Sequence, residues 1–107
     1  MVQQVKSVEE LDKLIQTKGK VVVIDYFATW CGPCVGFTPT YQKMSSEMSN
    51  VLFLKVDVDE VPEAADKAGI SSIPAFHVYV NGTRHEIVVG AAETKLRDSI
   101  AKAQAKL

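Results

Sequence analysis

Cysteine is scarce in this sequence, with two in 107 residues. A small secreted domain that replaces a core with disulfides needs more than one bridge, so that class is excluded. Long apolar runs are missing as well. The longest uncharged apolar stretch, Val21–Ile24, falls far short of the ~20 residues that cross a bilayer, which predicts no membrane span. Neither sign of charge dominates: 12 Lys+Arg stand against 13 Asp+Glu, a net charge of −1, so there is no basic footprint for nucleic acid. The opening residues, MVQQVKSVEE, hold none of the apolar stretch of a secretory leader, which predicts a reducing, cytoplasmic setting. No glycine-rich dinucleotide fingerprint occurs, so no bound nicotinamide cofactor is expected. There is no internal repeat and no Pro/Gly/Ser linker. What is present is the composition of a globular chain, 47% hydrophobic and 23% charged, and its length predicts one domain over residues 1–107.

Hydrophobic patterning divides the chain into alternating strands and helices. Ser7 and Glu10 form a capping box ahead of Val8, Leu11, Leu14 and Ile15, which recur at helical spacing until Gly19. Val21–Phe27 is β-branched and aromatic apart from Asp25, and its lack of alternation predicts a strand buried on both faces. A helix should follow Cys31-Gly32-Pro33-Cys34 and run to about Met48, with Met44 and Met48 on its core side. Val51–Asp57 reads as a strand. Asp59 should cap a short helix with Pro62 in its first turn and Gly69 at its end. Asn81-Gly82 predicts a hairpin between Ala75–Val80 and Thr83–Val89. A last helix, from Glu93 to about Lys106, carries Leu96, Ile100, Ala103 and Leu107 on one face behind a poorly capped start. With a weak strand at Gln4–Lys6 the order is βαβαβαββα: an α/β fold with a mixed central sheet and helices on both faces.

The chemistry concentrates where the central strand gives way to a helix. Unpaired N–H groups and the positive end of the helix dipole meet Cys31 there and favour its thiolate, which marks it as the attacking nucleophile. Cys34 stands about one turn further on, placed to attack a mixed disulfide and release product. Gly32 allows close approach of a substrate backbone, and Pro33 suits a first turn because it has no N–H to leave unpaired. Asp25 has two readings, a core carboxylate paired with Lys55 or a proton acceptor for Cys34 with its pKa raised by burial. Trp30, beside Cys31, is a candidate substrate contact.

Ala28-Thr29-Trp30-Cys31-Gly32-Pro33-Cys34 resembles the active-site signature of the thioredoxins, particularly the small cytosolic eukaryotic ones. The resemblance extends along nearly the whole chain. Asp25 matches the family's buried carboxylate, Lys55 the strand lysine near it, and Pro39 the proline that kinks the active-site helix. Ile73-Pro74 matches the cis-proline loop facing the cysteines, and Gly90 the glycine beside the substrate groove. The resemblance implies a thioredoxin fold, a reversible Cys31–Cys34 disulfide, and a protein disulfide reductase. Gly32, Pro33 and Lys55 would tune the redox couple, and Ile73, Val58, Val89 and Ala91 would line an apolar groove around Cys31. It also implies recycling by a flavin-dependent thioredoxin reductase that uses NADPH, and disulfide-containing proteins as targets of a monomer. Val35-Gly36 departs from the pattern, because the family usually has Lys or Arg directly after the second cysteine.

Competing readings of the same residues are weaker. A zinc site would need His77 and His85 beside the thiols. A two-residue turn at Asn81-Gly82 pairs His77 with Glu86 and His85 with Val78, which puts the histidines on opposite faces, so no metal is expected. An oxidase or isomerase of the same fold usually has another residue at Pro33, and a glutaredoxin usually has Pro-Tyr between its cysteines. A binding module that keeps the fold without redox turnover is a different class. Asp57, Asp59, Glu60 and Glu63 read as a solvated acidic loop and helix start. The Asn81-Gly82-Thr83 sequon is accounted for by the hairpin.

Overall fold

The computed structural model describes residues 1–107. Its elements are β1 (Val2–Gln4), α1 (Val8–Ile15), β2 (Val21–Phe27), α2 (Gly32–Glu47), β3 (Val51–Asp57), α3 (Pro62–Ala68), β4 (Ala75–Val80), β5 (Thr83–Val89) and α4 (Glu93–Gln104). The order is the βαβαβαββα expected. The strands form one mixed sheet in the order β1-β3-β2-β4-β5, with β1 and β2 parallel to β3, and β4 antiparallel to both β2 and β5.

The two-residue period of β2 assigns its side chains to two cores. Val21 and Val23 face α2 and α4, where Phe37, Tyr41, Met44, Leu96, Ile100 and Ala103 complete an apolar cluster with Phe53, Phe76 and Val78. Val22, Ile24 and Tyr26 face the other way, against Leu11 of α1 and Ala64 of α3, together with Val61, Leu54, Val56 and Ala75. Covering helices on both sides are why β2 tolerates no polar alternation, and all its residues but Phe27 are buried. Burying a leucine-sized side chain contributes roughly 1.5–3 kcal/mol, so the two layers carry most of the fold's stability.

Element ends depart from the sequence reading for local reasons. β1 begins at Val2, opposite Phe53, and not at Gln4. Its far end is closed because the Lys6 N–H donates to Glu10 Oε1 at 2.9 Å instead of to a neighbouring strand. The same glutamate belongs to the capping box, in which Ser7 Oγ accepts the Glu10 N–H at 3.1 Å. Helix α1 stops at Ile15, ahead of Gly19, because Gln16 and Thr17 turn back tightly onto the Lys13 and Leu14 carbonyls. Gly19 serves the loop into β2, with φ +77° and its N–H donated to Asn81 Oδ1 at 3.0 Å. Asp59 does not cap α3. Val61 holds the cap position without a side-chain bond, and Asp57 Oδ1 accepts the N–H groups of Asp59 and Glu60. Gly69 closes α3 in the left-handed conformation, φ +71°. Leu107 lies beyond α4 and is exposed, so it is not part of the helix's apolar face.

The hairpin turns at Asn81 and Gly82, both with positive φ, and Val80 pairs with Thr83. The expected register holds for one further pair, Tyr79 with Arg84, and then fails. A bulge between Val78 and Tyr79 shifts the register, so His77 stands opposite Ile87 and Val78 opposite Glu86. Tyr79 pairs with Arg84, and His85 is the extra residue with no partner in the ladder. The bulge keeps Val88 on the α4 side, where it is buried, while Ile87 and Val89 are left exposed on the other face.

Candidate active site

The end of β2 and the start of α2 bring the two cysteines together. Ala28 is fully buried, and its carbonyl accepts the Cys31 N–H at 3.2 Å, which turns the chain into the helix. Cys31 is the cap residue, with extended backbone, and its Sγ accepts the Cys34 N–H at 3.2 Å. A sulfur thus occupies the position that a serine or aspartate oxygen fills in an ordinary cap. Gly32 and Pro33 form the first turn and are exposed. Cys31 and Cys34 are joined in a disulfide with their Cα atoms 5.2 Å apart. Each is nearly covered, Cys31 being 6% exposed and Cys34 3%. Downstream, Val35 is exposed and Gly36 opens onto empty space, and nothing in the structure explains this pair. Pro39 sits within α2, where it removes one backbone donor, and the helix continues through it.

A platform surrounds the sulfurs. Cys31 Sγ lies 3.9 Å from the Ile73 carbonyl oxygen, and Ile73-Pro74 is cis. Ile73, Val58 and Phe27 pack against Ala28 and the two cysteines. Trp30, Val58 and Ile73 line a groove of about 200 Å³. Ala65, Ile70 and Ser71, from the end of α3 and its following loop, complete it; these three were missed in the sequence because only the chain's return past Trp30 gives them a role. Val89, Gly90 and Ala91 are not in that groove. Val89 and Gly90 meet the cis-proline segment at the end of β5: Val89 pairs with Ala75, and the Gly90 N–H donates to the Pro74 carbonyl at 2.8 Å. Gly90 adopts φ +94°, which a side chain would oppose.

Trp30 is 71% exposed yet held, its indole N–H donating to Asp59 Oδ2 at 2.7 Å. The acidic loop is therefore more than a solvated stretch. Asp57 orders the turn and Asp59 anchors the tryptophan.

Asp25 lies under the sulfurs on the α2 side of β2 and is buried. It shares with Cys34, Thr38, Tyr41 and Lys55 a cavity of about 20 Å³, room for about one water molecule. Lys55 is its register partner on β3 but makes no ion pair with it; the ammonium lies over the Phe27 ring, 5.4 Å from its centre. Burial therefore outweighs the attraction of Lys55 and pushes the Asp25 carboxyl up to about 7. Its Oδ1 has no hydrogen-bond partner. Of the two readings of Asp25, the closed ion pair with Lys55 is the one this geometry does not form.

His77 and His85 take no part in this site. His77 is buried on the opposite face, against the Tyr26 ring at 5.0 Å.

Known proteins place this arrangement. The thioredoxin family model matches residues 2–102. Thioredoxin-1 of Schizosaccharomyces pombe is 45% identical over 100 residues, spanning 94% of this chain and 96% of that one. The solved thioredoxin of Fasciola hepatica is 38% identical and superimposes with a TM-score of 0.91 over 94% of this chain and 98% of its own. The oxidised form of mitochondrial thioredoxin 3 from Saccharomyces cerevisiae gives 0.89 at 32% identity over 94% of each chain. The chain belongs to the thioredoxin family. With its Cys31–Cys34 pair it is a thiol–disulfide oxidoreductase acting on protein disulfides.

Proposed function

We propose that this protein is a general protein disulfide reductase in which Cys31 attacks and Cys34 resolves. The observation that carries the assignment is the Cys34 N–H donated to Cys31 Sγ at the start of α2. In the reduced protein the same N–H and the helix dipole stabilise negative charge on Cys31, and the rigid first turn of Gly32 and Pro33 holds it there.

The Cys31 thiolate attacks one sulfur of a substrate disulfide and expels the other as a thiolate, leaving a mixed disulfide. Cys34 then gives its proton to Asp25, directly or through a water in the shared cavity, and attacks Cys31 Sγ. The second substrate sulfur leaves as a thiolate and the Cys31–Cys34 disulfide closes. Two electrons have passed from the dithiol to the substrate. Lys55, close in charge to Asp25 without binding it, keeps that carboxyl from rising further. Trp30, Val58 and Ile73 receive the apolar residues flanking the substrate disulfide, while Pro74, Val89, Gly90 and Ala91 present the opposing backbone edge.

The oxidised form would be returned to the dithiol by a flavin-dependent thioredoxin reductase drawing on NADPH, with no cofactor or metal bound to this chain. We assign it to the cytoplasm as a monomeric electron carrier, a single domain over residues 1–107. No helix is long and apolar enough to cross a membrane. Cys34→Ser should trap target proteins as stable mixed disulfides and Cys31→Ser should trap none. Insulin reduction by dithiothreitol should accelerate only with the intact pair. Trapping by the Cys31 variant alone would reverse the two roles, and no acceleration by the intact protein would overturn the reductase reading.

A further inference from the structure

A second concavity lies on the sheet face away from Asp25, a cleft of about 140 Å³ between α1, α3 and the β4–β5 hairpin. Val8, Leu11 and Ile15 of α1 and Ala64 and Ala68 of α3 make its walls apolar. The alanines create the space, since larger residues at these positions would fill it. None of its lining residues belongs to the groove beside Trp30 and Ile73.

Tyr26, Tyr79 and Arg84 on the strands and Asp12 and Lys67 on the helices complete the lining. The two-residue turn of the hairpin puts Arg84 directly opposite Tyr79. Arg84 forms no ion pair, and the one acid in the cleft, Asp12, is tied to Lys67 at 2.9 Å. No hydrogen bond engages either tyrosine hydroxyl. Burial, the main cause, raises both phenols above their usual range, so both are neutral donors at physiological pH. Arg84 and, with opposite sign, Asp12 act electrostatically on both tyrosines, which places both charges over the same cleft, where Asp12 is already paired with Lys67.

What is unmatched here is donor capacity, a free guanidinium and two hydroxyls beside an apolar wall. Its complement is a single anionic acceptor on a small apolar body. Size narrows the choice, because an apolar cavity of about 150 Å³ accepts one benzene ring. The geometry points to this cleft as a binding site for a small aromatic monocarboxylate, with its ring between α1 and α3 and its carboxylate on Arg84 and the tyrosine hydroxyls. Arg84 suits that anion because its planar fork meets a carboxylate with two parallel hydrogen bonds.

Benzoate is the probe, titrated at pH 7 into isotope-labelled protein and followed by heteronuclear NMR. Saturable shifts should centre on Leu11, Ile15, Ala64 and Ala68 and leave the Trp30 indole and Ile73 unmoved. Benzamide, neutral and nearly the same shape, should bind about tenfold more weakly, the loss of one charge-assisted contact. Arg84→Gln should weaken benzoate by about the same factor, and since Arg84 is exposed the variant should keep the fold. Ala68→Phe should fill the cleft and abolish the shifts. Non-saturating shifts, shifts centred on Trp30, equal binding of benzamide, or an Arg84→Gln variant with undiminished affinity would each overturn the assignment.

Discussion

Besides its tyrosines, each face of the central sheet buries one side chain that ionises, a carboxyl on one and an imidazole on the other, and neighbouring strands supply them. Asp25 of β2 points toward α2 and α4, and His77 of β4 points toward α1 and α3. Burial dominates both, and it acts against charge in both. It lifts the Asp25 carboxyl from 3.8 to about 7 against the pull of Lys55. It lowers the His77 imidazole from 6.5 to about 4, helped by Arg84. The resulting pH dependences have opposite signs. Asp25 costs nothing below pH 3.8, and stability is lost as pH climbs toward 7. His77 costs nothing above 6.5, and stability is lost as pH falls toward 4. Between about pH 4 and 6.5 the two slopes cancel. What separates the two groups is their surroundings. Asp25 shares a cavity with Cys34, whereas His77 touches the Tyr26 ring and leaves Nδ1 without a partner. A buried titratable group borders the dithiol on one face and an aromatic ring on the other.

Removing either member should break the cancellation in its own direction. Asp25→Ala carries the largest expected effect, a gain on the order of 2–4 kcal/mol in unfolding free energy at pH 7, vanishing below about pH 4. The same variant should release mixed disulfides more slowly, because Cys34 loses its proton acceptor. Denaturant melts across that pH range and single-turnover reduction of a disulfide peptide would check both halves. A less stable variant at pH 7 would make Asp25 an ion-pair partner of Lys55 after all. His77→Leu should do the reverse: about 2 kcal/mol more stability near pH 4, little change at pH 7, and insulin reduction unaltered. A loss of reductase activity in this variant would mean that the two faces are coupled.

Smaller effects compare the helices that cover each face. On one side α1 is short and owes its start to the Ser7 bond with the Glu10 N–H, so Ser7→Ala should cost about 1 kcal/mol. On the other side α2 contains Gly36, whose added Cβ would meet nothing. Gly36→Ala should therefore gain about 0.5–1 kcal/mol, a thermal shift of a few degrees. If it also changes the rate with protein substrates but not with small disulfides, the glycine next to Val35 shapes partner choice.

Strand and helix positions could be read from the chain because they depend on periodicity that neighbouring residues impose on one another. Val21–Phe27 and Val51–Asp57 could be bounded from their β-branched runs, and the hairpin turn from Asn81-Gly82. The Cys31–Cys34 turn was equally legible, because a helix start with a proline in its first turn is a local event. Ends that depend on a distant or competing donor were not. Glu10 withdraws Lys6 from β1, and Asp57 rather than Asp59 orders the loop before α3.

The sequence alone determined the order of elements, the double burial of β2 and the dithiol at its end, since all three follow from local pattern. Tertiary structure decided the relations between elements. It placed Lys55 over Phe27 instead of on Asp25, and so left that carboxyl to be neutralised by burial. It brought Asp59 to the Trp30 indole across 29 residues of chain, and Ala65 and Ile70 to the groove beside it. It also inserted the bulge that sets His77 opposite Ile87 and leaves His85 unpaired. Cross-strand register and side-chain direction depend on how whole layers pack, and no short window of sequence contains both partners of such a contact.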